Sequence, residues 1–295
     1  MFRKFHIDTH TQINLFDDLS KSCEFENITK GRLGGNLACI KDDNLIPIVR
    51  TTTVYVKPVQ KFLPIHLELI EKIKTSCKAN GFESKELEFN NGLIEIYDNQ
   101  YTKMGFHSDQ SLDLKPGSFI CIYSCYSDSN PKSHQLRKLI IKKKLAETNA
   151  EPESNPESNP ESKLNQDKHF DYHEIILTPN SVVIFDTDTN QKYLHKIILG
   201  ETKNLDQIKW LGITFRSSNQ NVVFFNEIPY LLNSGKELVL ATETEKKEFY
   251  KLRSKENQLD NFTYPFLNYT ISPSDLIKPN FNFKDKDTNN HLYLD

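Results

Sequence analysis

The chain has 295 residues, a formal net charge of −3 at pH 7 and a mean hydropathy of −0.58. This length allows one large domain or two small ones, with a sizeable core. The near-neutral charge disfavours a protein that binds long nucleic acid mainly through phosphates, because such proteins usually carry a basic excess. No stretch approaches the ~18 apolar residues of a membrane span, so we expect no membrane partner.

The cysteine content indicates a reducing compartment. The five cysteines are scattered and contain no Cys-x-x-Cys pair, which disfavours both a zinc ribbon and a disulfide framework. The first residues, MFRKFHIDTHTQ, lack the apolar segment of a secretory signal. We therefore expect an intracellular protein, cytoplasmic or nuclear. The sequence leaves the oligomeric state unknown.

The first clear element is an amphipathic helix over residues 64–81. Apolar side chains recur at helical spacing, Pro64 suits a first helical turn, and Asn80-Gly81 suits the helix end.

Short β-branched segments follow, separated by polar turns. They predict strands at 93–97, 118–126, 136–141, 172–177, 181–185, 193–199, 211–215 and 221–225. This pattern is typical of an antiparallel sandwich or barrel, and we expect a mainly β (α+β) fold with flanking helices.

A low-complexity segment interrupts the strands. Residues 152–163 read PESNPESNPESK, a repeated polar unit that has no side chains able to offset the entropy of ordering. We expect a disordered insert at about 146–168, in a surface loop between two strands. After residue 226 the strand pattern ends, and residues 243–259 predict one exposed helix.

The strongest chemical signal is the segment GFHSD at residues 105–109. In extended backbone, residues i and i+2 point the same way, so His107 and Asp109 can converge on one cation. His195 lies in a later predicted strand, and Arg216 in the next one. Two imidazoles and one carboxylate form the facial triad of non-haem Fe(II) oxygenases, which leaves positions for a 2-oxo acid and O2. A nearby arginine suits a carboxylate of that acid.

Several motifs resemble the AlkB-like family of Fe(II)/2-oxoglutarate-dependent dioxygenases. They are FN at 89–90, EIY at 95–97, MGFHSD at 104–109, LKPGSFI at 114–120, PNSVVIF at 179–185, TNQKYLH at 189–195 and ITFR at 213–216. The similarity runs from about residue 53 to residue 217, apart from the repeat.

The resemblance implies a double-stranded β-helix (jelly roll) and an Fe(II) ion held by His107, Asp109 and His195. By the same resemblance, Tyr97 contacts the cosubstrate 2-oxoglutarate and Arg216 binds one of its carboxylates. Thr214 shares a strand face with Arg216 and is included in that site. The expected reaction is C–H oxidation with O2, releasing succinate and CO2. The leading substrate class is an alkylated base of DNA or RNA.

The predicted organisation has three parts. Residues 1–60 form an N-terminal extension, in which 47–54 resemble the family's substrate lid in position or form an ordinary edge strand. Residues 61–226 form the jelly-roll core with its insert. Residues 227–295 form a C-terminal extension, whose role the sequence leaves open.

Two departures from the family pattern concern the cosubstrate. The family's second arginine, six residues before Arg216, is Trp210 here, and the asparagine before its tyrosine is Glu95. A carboxylate beside a cosubstrate carboxylate is unfavourable unless it is protonated, salt-bridged or turned away. Lys196, Lys209 or Arg216 could then take a larger share of cosubstrate binding. A non-catalytic jelly-roll binding module, favoured by Trp210, is the alternative from another functional class.

A third departure concerns the substrate. Nucleobase demethylases of the family often carry an acidic residue two positions after the aspartate ligand, and Ser111 stands there. Together with the near-neutral charge, this favours the alternative of a protein or small-molecule hydroxylase. The one dense basic run, residues 136–144, is either a phosphate-binding patch or, as we favour, a strand with a solvated lysine end.

Overall fold

The computed structural model describes residues 1–7, 14–41, 45–82, 87–102, 104–144, 172–200 and 208–279. The predicted insert at about 146–168 lies outside these residues. The strands are β1 (Arg3–His6), β2 (Glu26–Thr29), β3 (Arg32–Ala38), β4 (Leu45–Pro47), β5 (Gln60–Lys61), β6 (Asn91–Tyr97), β7 (Phe119–Tyr126), β8 (Arg137–Lys143), β9 (Tyr172–Ile176), β10 (Ser181–Asp186), β11 (Tyr193–Leu199), β12 (Trp210–Arg216), β13 (Asn221–Phe225), β14 (Ile228–Leu231), β15 (Lys236–Glu237), β16 (Val239–Leu240) and β17 (Tyr269–Thr270). The helices are α1 (Phe16–Ser20), α2 (Pro64–Ala79), α3 (Thr187–Lys192) and α4 (Glu243–Gln258).

The largest sheet has eight strands in the order β1-β10-β7-β12-β6-β3-β2, with β5 added beside β3. All its pairs are antiparallel except β3–β5. A smaller antiparallel sheet has the order β11-β8-β9. This mainly β architecture confirms the predicted fold class, a jelly roll of antiparallel sheets with few helices.

Two apolar clusters lie on the two faces of the large sheet. On β12, Leu211, Ile213 and Phe215 pack in one cluster with α2, whereas Trp210 packs in the other. Side chains alternate along a strand, so Trp210, Gly212, Thr214 and Arg216 share the second face. The second cluster includes Leu139 of β8 and Ile197 of β11, so this face is the barrel interior.

The sequence patterns located most elements. The predicted helix at 64–81 is confirmed as α2, and the eight predicted strands are confirmed as β6 to β13 with ends shifted by a few residues. The helix expected at 243–259 is confirmed as α4, but it is not simply exposed, because Phe249 and Glu256 are buried. Within the described residues, no helix is long and apolar enough to cross a membrane.

Apart from the possible edge strand at 47–54, the sequence predicted no strands before residue 61 or after residue 226. β1, β2, β3 and β5 belong to the same large sheet as β6 and β12. The region after residue 226, described as far as residue 279, contributes β14 to β17 and α4. The three-part division of the chain stays a prediction.

A buried histidine joins α2 to the N-terminal region. The Nδ1 atom of His66 accepts a hydrogen bond from the Leu63 backbone N–H at 2.9 Å. Its Nε2 atom lies 2.8 Å from the Ser22 hydroxyl, which itself donates to the Leu19 carbonyl. An imidazole that accepts at Nδ1 and donates at Nε2 is neutral. Burial lowers the pKa of His66 to about 4.

This arrangement predicts a loss of stability in acid. The unfolded histidine has a pKa near 6.5, so between about pH 6.5 and pH 4 the unfolded state binds more protons than the folded state. The free energy of unfolding should therefore fall across this window, by up to about 3 kcal/mol from this group. Urea unfolding of the wild type and of His66→Gln, which can donate and accept but does not titrate, measures the effect. Parallel pH curves for the two proteins would contradict it.

Candidate metal centre

The structure brings His107, Asp109 and His195 together. One ligand atom from each residue lies within 4.8 Å of the other two, and His195 Nε2 is 3.5 Å from Asp109 Oδ1. The proximity follows from backbone pairing. His107 N–H donates to the His195 carbonyl at 3.0 Å, and His195 N–H donates to the His107 carbonyl at 2.7 Å. The segment of His107 thus extends the small sheet beside β11.

The imidazole of His107 is held in the form that a metal requires. Its Nδ1 atom lies 2.9 Å from the Gly105 carbonyl, so Nδ1 carries the proton and Nε2 keeps its lone pair. Burial, with added repulsion from His195 and Arg253, lowers the pKa of His107 to about 3. The ring is therefore neutral near pH 7 and able to act as a ligand.

The carboxylate of Asp109 is buried and ionised. Although burial alone would raise its pKa, the Arg216 guanidinium and the two histidines together hold the pKa of Asp109 well below its usual range. Arg216 Nε is 3.0 Å from Asp109 Oδ2. Asp109 Oδ2 and His195 Nδ1 are nevertheless buried without a hydrogen-bond partner of good geometry. Unsatisfied polar atoms beside a second imidazole fit a divalent cation of the Fe(II) type.

Asn190, for which the sequence predicted no role, holds the backbone of Asp109 on both sides. Its Oδ1 accepts from the Asp109 N–H, and its Nδ2 donates to the Asp109 carbonyl, each at 2.7 Å. Asn190 is buried in α3, whose N-cap Asp186 accepts from the Thr189 N–H. The short helix before β11 therefore fixes Asp109 and leads directly to His195.

The predicted cosubstrate residue Tyr97 lies fully buried in the barrel interior, and its hydroxyl donates to Glu95 at 2.6 Å. Glu95 is also salt-bridged to Arg32 of β3, with Arg32 Nη2 at 2.5 Å and Nε at 2.7 Å. The structure thus resolves the concern about Glu95, because Arg32 neutralises it. Local sequence patterns could not reveal this ion pair, because Arg32 and Glu95 are far apart in the chain.

Trp210 occupies the interior where the family pattern has an arginine. Its indole packs on Tyr97 at a centroid distance of 4.8 Å. The ring also lies over Gly212, where an added Cβ would come within 2.0 Å of it. Glycine is therefore required at residue 212. Two buried interior groups near Gly212, Trp210 Nε1 and Ser124 Oγ, have no hydrogen-bond partner within the part of the chain that the structure describes.

Arg137 is a second interior cation, and the sequence did not predict it in the site. It is 2% exposed, and its guanidinium carbon lies 5.0 Å from the centre of the Tyr97 ring. Its terminal nitrogens donate to the backbone carbonyls of Tyr101 and Asp98, each at 2.7 Å. Among the described residues it forms no salt bridge. Burial lowers the pKa of Arg137 to about 10, although the charges of Tyr97, Tyr126 and Asp98 act in the opposite direction.

Three further residues were connected with cosubstrate binding by the sequence, and only one of them, Thr214, faces the barrel interior. Thr214 faces the interior beside Arg216, and its side chain is partly accessible. Lys196 and Lys209 are not interior residues, so the expectation that they share in cosubstrate binding is wrong. Lys196 lies on the outer face of β11 with its Nζ 4.3 Å from the Phe106 ring centre, and Lys209 is exposed before β12. Strand alternation separates Lys196 from His195.

The basic run at 136–144 does not form one patch, because Arg137 and Lys144 are buried while Lys138 pairs with Glu174. The segment 47–54 begins as an edge strand, with β4 paired to β13. It is then fixed by a buried bidentate ion pair between Arg50 and Asp113, with distances of 2.7 and 3.0 Å.

Tyr55, just beyond this segment, is buried, and none of the described residues forms a hydrogen bond with its hydroxyl. An added Cβ on Gly34, in the interior face of β3, would lie 2.7 Å from that hydroxyl. Although burial is the main reason that the pKa of Tyr55 is raised, the charges of Glu95, Arg32 and Arg216 also act on it. Tyr55 therefore reaches the barrel interior near the cosubstrate residues, which no sequence motif indicated.

A comparison with protein families agrees with a metal site formed by two histidines and one aspartate. The profile of the family described as "2OG-Fe(II) oxygenase superfamily" matches residues 29–216, more than half of the chain and all three triad residues. No curated protein matches the sequence.

Three solved structures that the chain matches have low sequence identity and low TM-scores. A prolyl-4-hydroxylase from Pseudomonas putida is 10% identical, with 74% of this chain and 93% of that chain covered and a TM-score of 0.36. A full-length protein from Neurospora crassa in complex with alpha-KG is 10% identical, with 79% and 72% covered and a TM-score of 0.31. A bsmA homolog from Methylobium petroleophilum is 11% identical, with 69% and 80% covered and a TM-score of 0.31.

The contacts of Asn190 generate a prediction about metal binding. Asn190→Ala removes both hydrogen bonds to the Asp109 backbone, so the affinity for Co(II) should fall about 10- to 100-fold, as for other groups that orient metal ligands. Quenching of the fluorescence of Trp210, the single tryptophan, measures the affinity. Lys192→Ala, an exposed change on the same helix, is the control. Equal affinities in the two variants would show that Asn190 does not orient the ligand.

Proposed function

This chain belongs to the 2OG-Fe(II) oxygenase superfamily, and we propose that His107, Asp109 and His195 hold its Fe(II) ion. The observation that carries the proposal is the convergence of two imidazoles and one carboxylate within 4.8 Å. The neutral ring of His107 and the ionised Asp109 are already in the protonation states that metal ligands need.

The protein is an oxidoreductase that uses Fe(II), 2-oxoglutarate and O2. With Fe(II) bound, O2 would be the oxidant and 2-oxoglutarate would supply two of the four electrons: one oxygen atom would enter succinate as CO2 leaves, and the other would enter a C–H bond of the substrate. The chain's own residues orient these groups. Arg216 faces the interior beside Asp109 and offers charge near the metal, and Thr214 lies on the same strand face.

For the far carboxylate of 2-oxoglutarate, the best-suited cation is Arg137. Its guanidinium is buried in the interior over Tyr97 and forms no salt bridge among the described residues, so that Asp98 acts on it only from a distance. A buried charge without a counter-ion is costly, and an anion beside it would offset that cost. In contrast, Arg32 already pairs with Glu95. Arg137 therefore takes the role that the family pattern gives to an arginine at residue 210.

Donors without partners support this assignment. Trp210 Nε1 and Ser124 Oγ are buried and unsatisfied, and Ser124 is paired with Gly212 in the β7–β12 register. Carboxylate oxygens accept several hydrogen bonds, so an N–H and an O–H donor suit the same ligand. The ring of Tyr97 contacts both Arg137 and Trp210 and would form an aromatic wall of the proposed 2-oxoglutarate site.

Two substrate classes follow from different observations. The motif resemblance favours N-alkyl groups of nucleic acid bases, whose hydroxylation releases formaldehyde. Hydroxylation of a protein or small molecule is the second candidate. It is favoured by Ser111, whose hydroxyl and N–H are engaged by Glu256, and by the buried positions of Arg137 and Lys144 in the basic run.

The first test is cosubstrate turnover. Anaerobically reconstituted protein should form succinate when O2 is admitted, and His107→Ala or His195→Ala should lower the rate by more than about 100-fold, since each variant removes a metal ligand. The same assay with methylated oligonucleotides and with peptides separates the substrate classes, because only the former would release formaldehyde. Unchanged succinate formation in both alanine variants would refute the ligand assignment.

The second test concerns Arg137. Arg137→Met keeps an unbranched, flexible side chain but removes the guanidinium group and its charge, so the affinity for 2-oxoglutarate should fall about 10- to 100-fold, the range for a charged hydrogen-bonded pair. Trp210 fluorescence of the Co(II)-loaded protein reports binding. Lys138→Met, on the outer face of the same strand, is the matched control. Equal affinity in both variants would exclude Arg137 as the anchor.

A further inference from the structure

The backbone on either side of Asp109 lies outside the named strands, between the His107 bridge and β7. Buried backbone groups in such a segment need hydrogen-bond partners from elsewhere. Asn190 supplies those of Asp109 itself. The partners of Ser108 and Ser111 come instead from α4, almost 150 residues later in the chain.

Two residues of α4 hold Ser108. Its N–H donates to Asn257 Oδ1 at 3.1 Å, and its hydroxyl donates to the same atom at 3.3 Å. Arg253 Nη2 donates to the Ser108 carbonyl. Both backbone polar groups of the residue before Asp109 are therefore bonded to the C-terminal helix.

Glu256 holds Ser111 in the same way. Its Oε1 accepts from the Ser111 N–H at 2.8 Å and from the Ser111 hydroxyl at 2.6 Å. Its Oε2 accepts from Arg253 Nη1 at 2.5 Å and from the Tyr264 hydroxyl at 2.7 Å. Glu256 is 4% exposed, and its charge is balanced by Arg253. Residues 253, 256 and 257 share one face of the helix because of their i, i+3, i+4 spacing.

The helix is itself fixed to the barrel. Lys144, which follows β8, donates through Nζ to the carbonyls of Glu256 at 2.5 Å and Leu259 at 3.1 Å. Phe249 is fully buried in a cluster against which Leu112, next to Ser111, also packs. Lys144 and the cluster around Phe249 thus fix α4 by contacts other than those to Ser108 and Ser111, so the position of the helix can be imposed on these two residues.

We propose that α4 is a positioning element of the metal site, in which Arg253, Glu256 and Asn257 hold residues 108 and 111 so that the Asp109 carboxylate faces the two histidines. The inference rests on the proposed role of Asp109 as a ligand. Groups that orient metal ligands typically change metal affinity 10- to 100-fold when they are removed. This positioning role would give the region after residue 226 a defined function in the enzyme.

The experiment measures metal affinity without turnover. Co(II) alone is titrated into the full-length apo protein, with Trp210 fluorescence for affinity and the visible absorption of Co(II) for coordination geometry. Asn257→Leu removes the acceptor, whereas Asn257→Asp keeps it. We expect an affinity loss of about 10-fold or more and an altered Co(II) spectrum for Asn257→Leu, with wild-type geometry restored in Asn257→Asp.

Two substitutions of Arg253 provide a second, independent comparison of variants. Arg253→Met should weaken Co(II) binding by a similar factor, and Arg253→Lys, which keeps one charged donor, should recover part of it. Lys251→Met, an exposed change on the same helix, is the matched control. Thermal unfolding of each apo protein verifies that the variants are folded at the temperature of the titration.

The outcomes are distinguishable. Lower apo stability with unchanged Co(II) affinity and spectrum in both Asn257→Leu and Arg253→Met would overturn the proposal, because α4 would then be a structural support only. Failure of the wild type to bind Co(II) would refute the triad assignment itself. Weaker binding with an altered spectrum, restored by the conservative variants, would establish the positioning role.

Discussion

The paired backbone of His107 and His195 is the constraint on which the site depends. Two hydrogen bonds of 3.0 and 2.7 Å place the two residues directly opposite each other, and their rings lie 4.7 Å apart between centroids. Directly opposed residues of an antiparallel pair project to the same face, so both imidazoles enter the barrel interior. Asp109 lies two residues after His107, and its carboxylate joins the two imidazoles if the backbone at residue 109 is held in place.

That fixed backbone comes from two directions. Asn190 in α3 forms hydrogen bonds with the backbone of Asp109 itself, and residues of α4 form hydrogen bonds with Ser108 and Ser111. Hydrogen bonds from packed helices fix the backbone of this loop and so orient the side chains that it carries. The region beyond residue 226 is therefore joined to the metal centre through specific contacts, in addition to its own apolar cluster around Phe249.

Electrostatics divides the interior into paired and unpaired charges. Asp109 faces Arg216, and Glu95 faces Arg32, so each of these buried carboxylates has a cation beside it. Arg137 is the exception, with carbonyl oxygens as its hydrogen-bond acceptors among the described residues. Buried charges are normally paired, and this is the reason for proposing that the anionic cosubstrate binds beside Arg137.

Local pattern was sufficient for the strands β6 to β13, for α2 and for the pairing of His107 with Asp109, because side-chain alternation and helical spacing are visible in consecutive residues. His195, far away in the chain, was joined to them by the resemblance of motifs. The resemblance of motifs added the superfamily. Only the tertiary structure revealed that Arg32 neutralises Glu95, that Arg137 is turned inward, and that α4 reaches Ser108 and Ser111. These contacts join residues far apart in the chain, and whether a lysine or arginine is solvated or buried depends on what packs around it, which no local periodicity encodes.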